Sequence, residues 1–499
     1  MKFRFDINTL RAIAVFGVLF FHFKVPYFNG GFAGVDIFFV ISGYLMSRII
    51  INALNKNEFS IIEFYTKRVK RIVPALLFLI IAVTFFCFFV YLPRDYKITE
   101  GNSASSILFL SNIWYWTKSS YFGPASESNV FLHTWSLSVE WQFYLLYPLL
   151  LIAFHKLIKN NNLYKVLFIA STLIIFYCSN KFSRYDQSAS FYLLPSRSWE
   201  MLFGGIAFLF EGAIKGKTAS KIISVAGYVI LFACLTMLTD RLLWPGKFTF
   251  IPVFGTFLVI IANSNDFKLL KLPLVQFLGK ISYSLYLWHW PVYVISGYLG
   301  LEKNTYGIVF LLALSMLLAY ASYRYIESIN FRQSKFILAA MCFMFVTTLF
   351  ASQYNTNTVV YKKRTIELSN YISVHIKDRE KQFNEGCCFI SVNSKFTSKV
   401  FKKDICLKID TGRKNYLLLG DSHAAQFAQT LKETLPENNY NLIQASASTC
   451  FPLIDKNGGE MCYKIIEYVY HDFIKNNYKE IDGVILGANW INLNSGGQG

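Results

Sequence analysis

Charge is what this sequence has least of. Only 16% of its 499 residues are Asp, Glu, Lys or Arg, where a soluble domain of ordinary composition carries about 25%. Acidic residues are the scarcer kind, 30 against 49 basic, for a net charge of +19. The chain has no solenoid-type repeat and no long low-complexity tract. Its first apolar run lacks a small-residue cleavage pattern, so no cleavable leader is expected. Disorder, a collagen-like chain and a small disulfide scaffold are excluded by composition. What is abundant is apolar surface: 54% of residues are hydrophobic and 18% are aromatic, Phe alone numbering 49. One water-facing fold cannot bury so much, and a membrane protein is the class to test.

The basic excess lies on the apolar part. Residues 1–353 hold 31 Lys+Arg against 15 Asp+Glu, and residues 354–499 hold 18 against 15. A nucleic-acid binder concentrates its charge in a soluble module, so no nucleic-acid partner is expected. A membrane span needs about 20 mostly apolar residues. Eleven candidates lie near 9–23, 35–54, 73–92, 133–154, 166–180, 198–212, 221–239, 248–263, 283–300, 306–325 and 336–353, with 103–117 as a partial span. Placing the N-terminus inside puts 19 basic residues in cytoplasmic segments and 10 outside. The positive-inside rule favours that orientation, and an odd number of spans then places the tail outside. Five cysteines fall in the tail (Cys387, Cys388, Cys406, Cys450, Cys462), which suits an oxidising compartment. Two short-loop disulfides are expected, Cys387 or Cys388 with Cys406, and Cys450 with Cys462, leaving one thiol.

Ionisable groups inside spans usually face a cavity or a partner, and here they cluster. The first span runs from Arg11 to His22. The second opens Gly-Gly-Phe-Ala-Gly-Val-Asp36. Later spans carry His133-Thr-Trp-Ser-Leu-Ser-Val-Glu140-Trp-Gln142 and Ser-Tyr-Ser-Leu-Tyr-Leu-Trp-His289-Trp-Pro, and Glu327 closes the tenth. A lone intramembrane histidine is more often a packing residue than a chemical one. Arg11 and His22, however, share a helix face about 16 Å apart, a charge anchor below and a base above. Lys67, Arg68, Lys70 and Arg71 follow the second span. They read equally as topology anchors on lipid phosphates or as a phosphate clamp, with Arg68 and Arg71 at i,i+3 facing one way if helical.

These blocks, in this order, resemble the membrane acyltransferase-3 family of bacterial sugar O-acyltransferases. The resemblance rests on Arg11-x10-His22, the Gly-Gly-Phe-Ala-Gly-Val-Asp36 block, Arg68-x-x-Arg71, the Glu140 block and the His289 block. It implies a membrane domain over 1–330, a linking helix over 331–360 and an outer domain over 361–499. It also implies an acyl donor, usually acetyl-CoA, as a substrate and not a permanently bound cofactor, and a glycan acceptor beyond the membrane. Arg11, Arg68 and Arg71 are the implied acyl-CoA contacts. His22 is the implied catalytic residue, as general base or transient acyl carrier, with Asp36 and Arg11 as orienters. Glu140 is a further catalytic candidate, though it and His289 could instead tie helices together. No metal site is expected.

In the tail, Lys414-Asn-Tyr-Leu-Leu-Leu-Gly420-Asp421-Ser422-His423 reads as strand, tight turn, helix. Ser422 then stands at a helix N-terminus, where backbone N–H groups favour an anion. A second apolar strand ends in Gly487-Ala-Asn489. Alternating strands and helices predict a small α/β domain. Gly-Asp-Ser-His resembles the first block of the SGNH fold, and Gly487-x-Asn489 resembles the block that supplies an oxyanion donor. The Asp-x-x-His that supplies the base in that family is expected well beyond the Asn block. The sequence given ends at Gly499, nine residues past Trp490, so the expectation is either that the chain is truncated or that the tail is not a complete catalyst.

The expected protein is therefore a multi-pass bacterial inner-membrane O-acetyltransferase. Its partners are membrane lipid, acyl-CoA and a polysaccharide or lipid-linked glycan of the envelope. A Gram-negative surface polysaccharide such as O-antigen is preferred over capsule or peptidoglycan. A rival reading is a transporter of an acyl carrier or envelope precursor. Transporters often show repeated halves, and none is visible here. In a third reading the tail only binds glycan.

Overall fold

Apolar runs punctuated by capping residues set the helices of the first part of the chain. Ser60 accepts from the Glu63 N–H, Asn160 from those of Asn162 and Leu163, and Asn304 from that of Gly307; each satisfies N–H groups that a helix start leaves unpaired. The computed structural model describes residues 3–118, 128–240, 242–264, 267–301, 304–329, 333–391, 401–435, 439–454 and 460–490. Contacts divide the chain into two units at Lys362–Lys363. The expected boundary at 330–331 falls outside the described residues.

The first unit is a helical membrane bundle. Its helices are α1 (Phe5–His22), α2 (Gly34–Asn55), α3 (Ile61–Val90), α4 (Pro93–Ile107), α5 (Ser111–Lys118), α6 (Thr134–Leu157), α7 (Asn161–Phe182), α8 (Gln187–Tyr192), α9 (Leu194–Leu209), α10 (Lys217–Met237), α11 (Phe250–Ala262), α12 (Pro273–Tyr298), α13 (Thr305–Ser322) and α14 (Ser334–Gln353). Among the described residues, eight helices are long and apolar enough to cross a membrane: α1, α2, α3, α6, α7, α10, α13 and α14. The three other segments read as spans also fold as helices. At 16 and 13 residues, α9 and α11 are short. The third, α12, is 26 residues long but carries Gln276, Lys280, Ser282, Ser284 and His289. The apolar stretch 103–117 is not one helix: Phe109, at φ 55, breaks it between α4 and α5.

Two departures bear on the site. The Lys67–Arg71 segment is not a loop, because Ser60 caps α3 upstream and the basic residues ride on its first turns. Arg197, counted as a loop charge outside the membrane, lies in α9 with its side chain 1% exposed. The core of the unit places α1 between α2 and α12, with α6 against α2 and α9 running along α2. Close approach is set by glycines. A Cβ on Gly279 of α12 would lie 2.1 Å from the Asn8 carbonyl oxygen, so α1 and α12 touch backbone to backbone there. Asn8 locks the register by donating to the Gln276 carbonyl at 2.7 Å and to its side-chain oxygen at 3.0 Å.

The second unit contains α15 (Lys363–Val374), α16 (Ile376–Phe383), β1 (Phe389–Ile390), α17 (Lys403–Cys406), β2 (Lys414–Gly420), α18 (Ser422–Ala425), α19 (Ala428–Thr434), β3 (Tyr440–Ala447), α20 (Glu460–Tyr468), α21 (Lys475–Asn477) and β4 (Ile481–Gly487). The four strands form one parallel sheet in the order β1-β3-β2-β4. This is the small α/β domain that the alternation of elements predicts. The disulfides are Cys388–Cys406 and Cys450–Cys462, and Cys387 is the free thiol.

Candidate active site

Arg11, Arg68 and Arg71 come together. They line one cavity in the bundle, on α1 and the first turns of α3, with Glu140 of α6 and Ser282 and Tyr286 of α12. Arg11 donates from Nε to Ser282 Oγ at 3.1 Å. Glu140 accepts from the hydroxyls of Ser42 and Tyr144, so it ties α2 to α6 and lines the cavity as well. Three guanidinium groups around one space, each a planar multiple donor, make a site for phosphate or carboxylate oxygens.

His22 is the last residue of α1. Its hydrogen-bond partner is neither Asp36 nor Arg11 but His289: Nδ1 of His22 lies 3.0 Å from Nε2 of His289. The two ring centroids lie 5.2 Å apart with 9° between their planes, and Trp290 meets the His22 ring edge-on at 4.6 Å. His133, just before α6, presents its ring at 5.8 Å from His289. Tyr286 connects this group to the cavity. Its hydroxyl is 2.6 Å from Ser136 Oγ and donates to the His133 carbonyl at 3.1 Å. The set of residues taken as catalytic from sequence omitted His133 and His289. Their signal was present, since His133 opens the block that holds Glu140 and His289 stands in the Trp-His-Trp-Pro run.

Asp36 sits elsewhere. Its carboxylate receives Arg197 at 3.0 Å, and Arg197 reaches Glu200 at 3.0 Å, all three side chains at most 1% exposed. The Arg197 guanidinium also lies over the rings of Phe39, Trp135 and Phe191. Asp36 therefore fastens α2 to α9, where an unpaired buried charge would be strongly destabilising.

In the tail the sheet order reverses direction at β2, whose neighbours are β3 and β4. Ligands of open α/β sheets bind at the carboxyl end of such a strand, and Ser422 follows β2 there. Gly420, at φ +144, makes the turn, and a Cβ on it would lie 1.7 Å from the Gly487 carbonyl oxygen. Asp421 joins the two sequence blocks, accepting from the His423 N–H at 2.7 Å and the Asn489 N–H at 2.8 Å. The Asn489 backbone N–H is thereby committed, which leaves its side-chain amide as the donor it can offer an oxyanion. The His423 ring also faces Asp421, with Nδ1 at 3.2 Å. Among the described residues no histidine hydrogen-bonds Ser422, and the segment past Trp490 lies outside them.

Comparison with known sequences then decides the family. The acyltransferase domain model matches residues 4–324, well over half of the chain. The chain belongs to the acyltransferase domain family. The SGNH domain model, described as fused to such domains, matches residues 388–498 of this acyltransferase-family chain. It is 32% identical over 339 residues to the O-acetyltransferase OatA of Staphylococcus aureus (strain NCTC 8325 / PS 47), covering 64% of this chain and 56% of the relative. It is 28% identical over 346 residues to the peptidoglycan O-acetyltransferase OatA of Listeria monocytogenes serovar 1/2a, covering 65% and 55%. The match thus spans about half the length of these curated relatives. No solved structure matches the chain.

Proposed function

We propose that this protein is an O-acetyltransferase of the bacterial inner membrane, moving an acetyl group from acetyl-CoA to a hydroxyl of a cell-envelope glycan. The observation that carries the reading is one bundle interior holding a three-arginine cavity and, one helical turn along α12 from Tyr286, a histidine pair. Arg68 and Arg71 take the phosphates of the donor, and Arg11, held by Ser282, extends the cationic wall inward. The thioester arm enters between α1, α2, α6 and α12 toward His22. His22 Nε2 accepts the acceptor hydroxyl's proton as its oxygen attacks the thioester carbon. A C–O bond forms, the C–S bond breaks, and the departing sulfur takes the proton back. The acceptor thus leaves the site as an acetyl ester, which is either the finished glycan ester or a carrier ester passed on to the sugar by way of Ser422. The acceptor is a cell-surface polysaccharide such as O-antigen, capsule or peptidoglycan, the last being the one named for the Listeria relative. Mass spectrometry of envelope glycans from cells with and without the protein tests the whole reading. A gain of one acetyl mass on one glycan class is expected, and no gain on any class overturns it.

The donor site carries its own prediction. Charge-assisted bonds contribute about 1.5–3 kcal/mol each, so Arg68→Ala with Arg71→Ala should weaken acetyl-CoA binding by at least about 100-fold in well-inserted protein. Unchanged affinity would make these residues topology anchors only. A further expectation concerns sidedness: Lys67–Arg71 faces the cytoplasm and Ser422 the periplasm. Single cysteines at the two places should label from opposite sides of intact cells, and labelling from one side would overturn the proposed orientation.

A further inference from the structure

We propose that His289 is a positioning residue that sets the protonation state of His22, through a relay from the Tyr286 carbonyl to His289 to His22. The inference rests on the reading of His22 as the acyl-transfer base. The donor and acceptor at each link follow from chemistry. A carbonyl oxygen only accepts, and the Tyr286 carbonyl lies 2.6 Å from Nδ1 of His289; Nδ1 of His289 therefore carries a proton. A neutral imidazole has one N–H, so Nε2 of His289 is a lone pair. That lone pair faces Nδ1 of His22 at 3.0 Å, and so Nδ1 of His22 is the N–H. Nε2 of His22 is left unprotonated, the state a base needs.

The neutral state of His289 follows from its surroundings. Its side chain is wholly buried, and its ring neighbours are His22, His133 and Tyr286. No carboxylate hydrogen-bonds either ring of the pair among the described residues, and an isolated cation in an apolar interior is strongly disfavoured. His22 keeps part of its surface exposed, so His22 can meet reactants and His289 cannot. Were the relay reversed, with His289 donating to His22, the base would carry its proton at Nε2 and be unable to act.

The relay also balances through the transfer. When His22 takes a proton at Nε2, its bond from Nδ1 to His289 becomes charge-assisted and stronger. The Nδ1 proton stays on His22, and His289 stays neutral with its own N–H on the Tyr286 carbonyl. Return of the Nε2 proton to the leaving sulfur restores the starting arrangement, with no proton gained or lost. Placement is built into α12: Ser282, Tyr286 and His289 follow at i, i+4 and i+7, one stripe of a helix. That stripe meets Arg11, Ser136 and His22 in turn.

The test uses the full chain in detergent with an envelope-glycan fraction supplied as the acetyl acceptor, and loss of the acetyl-CoA thioester as readout. His289→Leu removes the acceptor, and kcat should fall roughly 100-fold, in line with general-base effects. His289→Gln places an amide oxygen near the position of Nε2, able to accept from His22, and should retain activity within about tenfold of wild type. KM for acetyl-CoA should stay constant in both, because the arginine cavity is untouched. A His289→Leu enzyme with wild-type kcat overturns the inference, as does a folded His289→Gln enzyme no better than His289→Leu, or a change confined to KM. Wild-type protein that consumes no thioester overturns the functional reading itself, a result distinct from any of these.

Discussion

Thioester consumption should disappear in His22→Ala and persist in Ser422→Ala. His22 is the imidazole beside the arginine cavity with surface left to meet a substrate, so its loss removes the base. A fall of at least 10²–10⁴-fold is expected. Ser422 belongs to a separate folded unit, with Asp421 bonded to Asn489 next to it but, among the described residues, no histidine bonded to the serine. Its replacement should change glycan acetylation at most. The two readouts, acetyl-CoA loss and glycan ester content, must be measured separately in each variant. Full turnover in His22→Ala would remove His22 from the chemistry. Lost turnover in Ser422→Ala would reverse the proposed order of the two sites.

Gly43→Val should abolish folded protein. At the crossing of α2 and α9, a Cβ on Gly43 would lie 1.7 Å from the Met201 carbonyl oxygen, and one on Gly204 would lie 2.0 Å from that of Val40. Small residues permit such close helix approach in membranes, and no rotamer relieves a clash with backbone. Separating the helices would also pull Asp36 from Arg197, leaving buried charges unpaired, a change worth about 3–5 kcal/mol. Together these exceed a typical margin of stability. Monodisperse protein after detergent extraction should drop more than tenfold. Gly101→Ala is the control: its nearest neighbours to an added Cβ lie 3.8 and 3.9 Å away, so its yield should match wild type. Equal yields for the two variants would show that the α2–α9 contact is dispensable.

Features that are local in the chain were legible in the sequence. The strand, turn and helix at Lys414–Ser422 follow from an apolar run ending in glycine, and the eleven apolar segments all fold as helices. Errors arose where a distant partner decides. The resemblance implied Asp36 as an orienter of His22, yet its partner Arg197 is 161 residues away. Whether Arg68 and Arg71 face one way depended on a helix whose start Ser60 marks eight residues upstream of Arg68. The choice between Cys387 and Cys388 turns on side-chain direction, which spacing alone does not give. His289 was weighed from its sequence block, but its pairing with His22, 267 residues distant, shows only in the fold.

That last separation has a consequence for biogenesis. His22 leaves the ribosome long before α12 exists, and at about 5–20 residues per second the wait is roughly 13–53 s. During that interval Arg11 and His22 sit in a membrane without Ser282 or His289. Nascent chains released before Pro273 would therefore leave Arg11 and His22 of α1 without those partners. The seating of α12 on α1, fixed by Asn8 and Gly279, is thus a late checkpoint of assembly as well as the frame of the site.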